Sequence, residues 1–150
     1  MGMGDKTEES VSPGSRRWKV LIVDDVQDLR DSIRYLLEGE GYEVLEAADG
    51  HSALTTLRAS RYPLVVLLDM MMPHMAGDRV IETLIRERAL PGKHAVVLLT
   101  ASPATVPRDL HAVLKKHEIP VVSKTVTLDE IVEQVEQASA RITFQQQQPW

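Results

Sequence analysis

Short aliphatic runs alternate with longer stretches of helical spacing from Trp18 onward, through five repeats. The runs are Lys19-Val-Leu-Ile-Val23, Val44-Leu-Glu-Ala47, Leu64-Val-Val-Leu-Leu68, Ala95-Val-Val-Leu-Leu99 and Val121-Val-Ser123. Such alternation is the pattern of βαβ units, whose crossover helices force the strands parallel and cover the sheet on its faces. The run from Leu64 to Leu68 is apolar at every position, as a strand buried on both faces requires, so it belongs in the middle of the sheet.

The intervening stretches read as five helices. Val26, Leu29, Ile33, Leu36 and Leu37 share a face of the first, which ends near Gly39 and Gly41. Asp49-Gly50 opens the second, which carries Ala53, Leu54 and Leu57 and is stopped by Pro63. Val80, Ile81, Leu84 and Ile85 make the third, closed by Pro91-Gly92. Pro103 and Pro107 delay the fourth, which runs from near Pro107 to about His117 because proline is tolerated only at a helix start. Leu128, Ile131, Val132, Val135 and Ile142 line the last, with Thr127 and Glu130 spaced as a capping box. Residues 1–17 and 143–150 lack this periodicity and are expected to be flexible tails around one domain at 18–142.

Composition narrows the partners. A net charge of −5 argues against a nucleic-acid backbone or an anionic membrane as the main partner. No stretch approaches a membrane span and no secretory signal precedes Trp18, so the expected location is cytoplasmic. The absence of cysteine excludes disulfides, thiolate metal sites and a cysteine nucleophile.

In a parallel α/β sheet all carboxyl ends of the strands lie on one edge, where reactive groups gather. Asp24 and Asp25 follow the first run, Asp69 the third, Thr100 the fourth and Lys124 the fifth. Singly, each is more often a cap or a solvated surface group; together they form one constellation. Crowded carboxylates repel unless a cation neutralises them, and a hard ion with oxygen ligands is the natural solution, so Mg2+ is expected. Asp69 would then attack phosphorus while Thr100 and Lys124 contact the phosphoryl oxygens. No Gly-rich phosphate loop occurs, the five histidines show no zinc spacing, and the methionines around Asp69 read as packing residues.

The acidic pair Asp24-Asp25, the segment Asp69-x-x-Met72-Pro73-x-x-x-Gly77, Thr100-Ala101 and Lys124 resemble the receiver domain of two-component response regulators, over about Lys19 to Ile142. The resemblance implies a three-layer, flavodoxin-like α/β/α sandwich with a five-stranded parallel sheet of order 2-1-3-4-5. It also implies that Asp69 accepts a phosphoryl group from a phosphohistidine of a sensor histidine kinase or histidine phosphotransfer protein. Asp25, Asp69 and the Met71 carbonyl would bind Mg2+ directly, with Asp24 assisting through water. Thr100 would be the switch hydroxyl and Lys124 the phosphoryl-pairing lysine. Such a protein is no enzyme beyond its own phosphotransfer and dephosphorylation. It would signal through the face formed by the fourth helix, fifth strand and fifth helix, as a monomer or weak homodimer.

Two positions depart from the family pattern. Thr125 stands where proline usually follows the lysine, and Val121 replaces the aromatic three residues before it. A Thr-to-aromatic relay cannot operate with valine, which leaves as alternative an interaction module that signals without phosphate. A dehalogenase-type hydrolase also uses a strand-end Asp, but it needs a second Asp where Met71 stands. The sequence leaves no room for an output domain after the fifth helix, so a stand-alone regulator and a fragment of a longer protein are both expected readings.

Overall fold

The computed structural model describes residues 18–90 and 93–146. Strands β1 (Lys19–Val23), β2 (Val44–Ala47), β3 (Leu64–Asp69), β4 (Ala95–Thr100) and β5 (Val121–Ser123) alternate with five helices. These are α1 (Gln27–Gly39), α2 (Gly50–Ala59), α3 (Gly77–Arg86), α4 (Arg108–Lys116) and α5 (Leu128–Gln146). All strand pairs are parallel, in the order β2-β1-β3-β4-β5. The expected α/β fold and strand order are both present.

Strands β3 and β4 are buried at every residue because helices cover both faces of the sheet. Alternate side chains divide the core. Leu21, Val66, Leu68 and Leu98 pack with Leu54 and Leu57 of α2, Ile81 and Leu84 of α3, and Leu114 of α4. Val20, Ile22, Leu67 and Val97 pack with Ile33 and Leu37 of α1 and with Ile131, Val135 and Ile142 of α5. Burying side chains of this size contributes roughly 1.5–3 kcal/mol each before chain entropy is counted.

Local signals explain the boundaries. The Asp49 carboxylate caps α2 by accepting the Ser52 N–H at 2.8 Å. Gly41, with φ of 93°, takes the left-handed conformation that turns the chain from α1 into β2. A 3-10 turn, Pro103–Thr105, fills the long connection before α4, and α4 starts directly after Pro107. At α5, Thr127 Oγ1 accepts the Glu130 N–H at 3.2 Å and also contacts Glu130 Oε1 at 3.4 Å.

Three sequence expectations need correction. Val26 is not on the buried face of α1: it is the N-cap residue and is 49% exposed. Its place on that face is taken by Arg30, which is buried together with Ile33 and Leu37. Secondly, α5 does not stop at Ile142 but runs to Gln146. Nothing in 143–146 breaks a helix, and the Trp18 indole N–H anchors this turn by donating to Thr143 Oγ1 at 3.1 Å. The rest of both expected tails, 1–17 and 147–150, lies outside the described residues, as does the Pro91-Gly92 closure. Finally, α3 ends at Arg86, before that closure.

Candidate functional site

The carboxyl edge of the sheet gathers the residues expected there. Asp24 leaves β1 with its N–H still donating to Ala47 O of β2 at 3.1 Å, and its Oδ1 accepts the Val26 N–H at 2.8 Å. It is only 2% exposed, whereas the adjacent Asp25 is exposed. Asp69 is the last residue of β3, beside Leu99 of β4, and is equally buried. Its Oδ1 accepts the Met71 N–H at 3.2 Å. The buried Thr100 ends β4, and its carbonyl accepts the Lys124 N–H at 2.8 Å, which brings the fifth strand's exit beside the fourth's.

The Lys124 ammonium lies between two buried acids, 2.9 Å from Asp24 Oδ2 and 3.0 Å from Asp69 Oδ1. Oxygens of Asp24, Asp25 and Asp69 lie within 4.8 Å of one another. One ammonium therefore pairs with two members of a group of three carboxylates. Burial pushes the Asp69 carboxyl above its usual range; the Asp24 charge adds to this, while the Lys124 hydrogen bond and charge and the Met71 N–H oppose it. Burial pulls the Lys124 pKa down, but hydrogen bonds and attraction from Asp24 and Asp69 outweigh it and leave the group raised, hence charged.

These residues fit a small divalent cation. Asp24 Oδ2 is buried and, among the described residues, its close contact is the Lys124 ammonium at 2.9 Å, which is itself shared with Asp69. A cation among the three carboxylates would satisfy that oxygen and relieve the crowding. Mg2+ suits the oxygen-only donor set, with Asp24, Asp25 and Asp69 available to hold it directly or through water.

The loop after Asp69 is shaped by close packing. The Gly77 N–H donates to Met70 O at 2.9 Å, and a Cβ on Gly77 would sit 2.6 Å from the Asp69 carbonyl oxygen. His74 carries a positive φ of 70° in this loop. Met72 is buried in the core and Met70 and Met75 pack against it, while the Met71 side chain is 70% exposed. At the fifth strand Val121 is half-buried against the α2/α3/α4 core, and the exposed Thr125 hydroxyl hydrogen-bonds Ser123 Oγ at 2.7 Å.

Sequence reasoning missed Arg30 and Glu46, which lie directly beneath the acidic loop. The Arg30 guanidinium donates to Asp24 O at 2.5 Å, to Glu46 Oε1 at 2.9 Å and to Gln27 Oε1 at 2.6 Å. A signal was present: Arg30, Ile33 and Leu37 fall at the i, i+3, i+7 spacing of a buried helix face, where an arginine needs a reason.

Comparison with known proteins is consistent with this geometry. A family model described as "Response regulator receiver domain" matches residues 20–136. The DNA-binding response regulator MtrA of Mycolicibacterium smegmatis is 39% identical over 90 residues, 60% of this chain and 37% of the relative. The chain thus spans well under half the length of that relative. Among solved structures, a CheY-like response regulator receiver domain protein from Methanospirillum hungatei JF-1 superposes with a TM-score of 0.70 at 26% identity, covering 89% of this chain and all (100%) of the other. The response regulator TrrA of Thermotoga maritima, solved in complex with Mg(2+)-BeF, gives 0.65 at 27% identity, covering 81% and 98%.

Proposed function

The chain belongs to the response regulator receiver domain family of two-component systems, and from that premise we propose that Asp69 accepts a phosphoryl group, with Mg2+ bound at Asp24, Asp25, Asp69 and the Met71 carbonyl. The donor is the phosphohistidine of a sensor kinase or histidine phosphotransfer protein. An Asp69 carboxylate oxygen forms the new bond to phosphorus as the P–N bond to the imidazole breaks; the bonding pair stays on that nitrogen, which returns to a neutral or protonated histidine. Bound Mg2+ supplies charge neutralisation at the transferring oxygens.

The chain's own residues supply position. Asp69 is held at a strand end with one oxygen fixed by the Met71 N–H. Lys124, now shared between Asp24 and Asp69, would turn to a phosphoryl oxygen, and Thr100, buried at the end of the neighbouring strand, would donate its hydroxyl to another. The observation that carries this reading is the buried Asp69 carboxylate, grouped with two more acids and 3.0 Å from an ammonium. The Mg(2+)-BeF complex of the similar TrrA supports the same reading. Phosphorylation would alter protein–protein contacts at the α4-β5-α5 face of a cytoplasmic regulator. Its net charge of −5 disfavours direct nucleic-acid contact by this stretch, although MtrA is a DNA-binding relative.

Incubation with Mg2+ and acetyl phosphate, followed by intact mass measurement, tests the reading. One added phosphoryl group on the wild type and none on Asp69→Asn is expected. Val121 and Thr125 favour the second reading, a receiver-fold interaction module independent of phosphate. That reading takes over if the wild type forms no adduct while Asp69→Asn keeps full partner binding.

A further inference from the structure

We infer that Arg30 is a positioning residue for the cation site, fixing the peptide plane between Asp24 and Asp25 so that both carboxylates face Asp69; this rests on the Mg2+ reading above. Arg30 is 8% exposed, and a buried guanidinium is costly unless its donors are engaged. Here Nε, Nη1 and Nη2 each meet a different acceptor, on β2, on the acidic loop and on α1 respectively. The ladder is anchored from below. Arg34 shares the Glu46 carboxylate with Arg30, and it also donates to Glu38 Oε2 at 3.0 Å and to Val44 O at 3.1 Å.

The geometry gives this network a direction. The Asp24 carbonyl and the Asp25 N–H belong to one planar peptide unit, so holding the oxygen fixes the path on which the chain leaves for Asp25. Asp24 has other restraints, namely its N–H on Ala47, its Oδ1 on Val26 and its Oδ2 near Lys124. Among the described hydrogen bonds and ion pairs none engages the Asp25 carboxylate, so its aim depends on the backbone that Arg30 holds. Glu46, shared with Arg34, offsets part of the guanidinium charge, and the three directed hydrogen bonds are what Arg30 adds at the acidic pair.

Calorimetric titration of the full chain with MgCl2 separates the possibilities. Arg30→Ala is expected to weaken Mg2+ binding about tenfold, the usual cost of losing a group that orients metal ligands. Arg30→Lys should not restore it, because a single ammonium cannot reproduce a three-way planar fork. A purely electrostatic role predicts the opposite sign, since removing a cation would tighten Mg2+ binding. A purely structural role predicts that Ile33→Val, which loosens the same helix, weakens binding as much as Arg30→Ala. Either result overturns the inference, as does binding by Arg30→Ala within about twofold of wild type. If Arg30→Ala does not fold, wild-type affinity in Arg30→Lys overturns it equally. Absence of Mg2+ binding in the wild type overturns the cation reading and this inference together, whereas normal wild-type binding with an unaffected Arg30 variant overturns this inference alone.

Discussion

Lys124 holds apart two tendencies of the site at the residue scale. Its ammonium stands beside the Asp24 and Asp69 oxygens to which an incoming cation would bind, so it neutralises them and competes for them at once. Lys124→Ala should therefore destabilise the metal-free protein by roughly 1–3 kcal/mol, since two buried acids lose their partner while partial exposure of the lysine softens the effect. Its Mg2+ affinity should be unchanged or higher, and added Mg2+ should restore much of the lost stability. Thermal unfolding with and without MgCl2 measures both, and a large fall in Mg2+ affinity would contradict the assigned role. The residues grouped at the carboxyl edge were legible because each stands at or just after a strand end that is visible in the sequence. Arg30 and Glu46 were not, because a charged residue inside an amphipathic helix or a short edge strand looks solvated until the tertiary contact between α1 and β2 exists.

Elements were legible to the extent that their signals are local. Runs of aliphatic residues gave β1 and β2 to the residue, and Asp49 and Pro107 placed the starts of α2 and α4, because caps and proline act within one turn. The 3-10 turn after β4 and the last turn of α5 were not legible: the first buries none of its three residues and so leaves no apolar period to read, and a contact to Trp18 helps fix the second. The start of α3 makes a sharper case. Replacing a helical glycine by alanine ordinarily gains about 1 kcal/mol of helix propensity. At Gly77 the added Cβ would meet the Asp69 carbonyl oxygen at 2.6 Å, a backbone atom that can yield only by moving the strand end. Gly77→Ala is thus expected to lose about 1–3 kcal/mol in urea unfolding, and a stabilised variant would show that this contact relaxes freely.

Across the whole molecule, the end of the sheet opposite the acidic site has its own latch. The buried His94, just before β4, accepts the Leu64 N–H at Nδ1 over 3.0 Å, and its ring also hydrogen-bonds the Leu57 backbone, tying α2, β3 and β4 together. Burial, aided by the Lys93 charge, lowers its pKa from 6.5 to about 4. Because the folded value lies below the unfolded one, the unfolded chain binds the extra proton first. The stability that neutral His94 contributes is present above pH 6.5 and is lost progressively as pH falls toward 4. Between pH 7 and pH 5 the loss from this group is about 2 kcal/mol. Urea titrations of wild type and His94→Gln at both pH values check it: the variant should show a shallower decline by that amount.

Global arrangement was the least local property of all. The alternation of runs demanded a parallel sheet, but the order β2-β1-β3-β4-β5 followed only from the family resemblance, since periodicity does not say which strands are neighbours. That order leaves β2 and β5 as the borders, and the ladder beneath the acidic loop has an effect there. By occupying the Val44 carbonyl, Arg34 removes one of the open acceptors along β2, and β5 is only three residues long. Short borders, one of them with a guanidinium over its acceptor, discourage strand addition by another chain, so the Arg34 that anchors the network beneath the site also guards the β2 edge against pairing with a second copy.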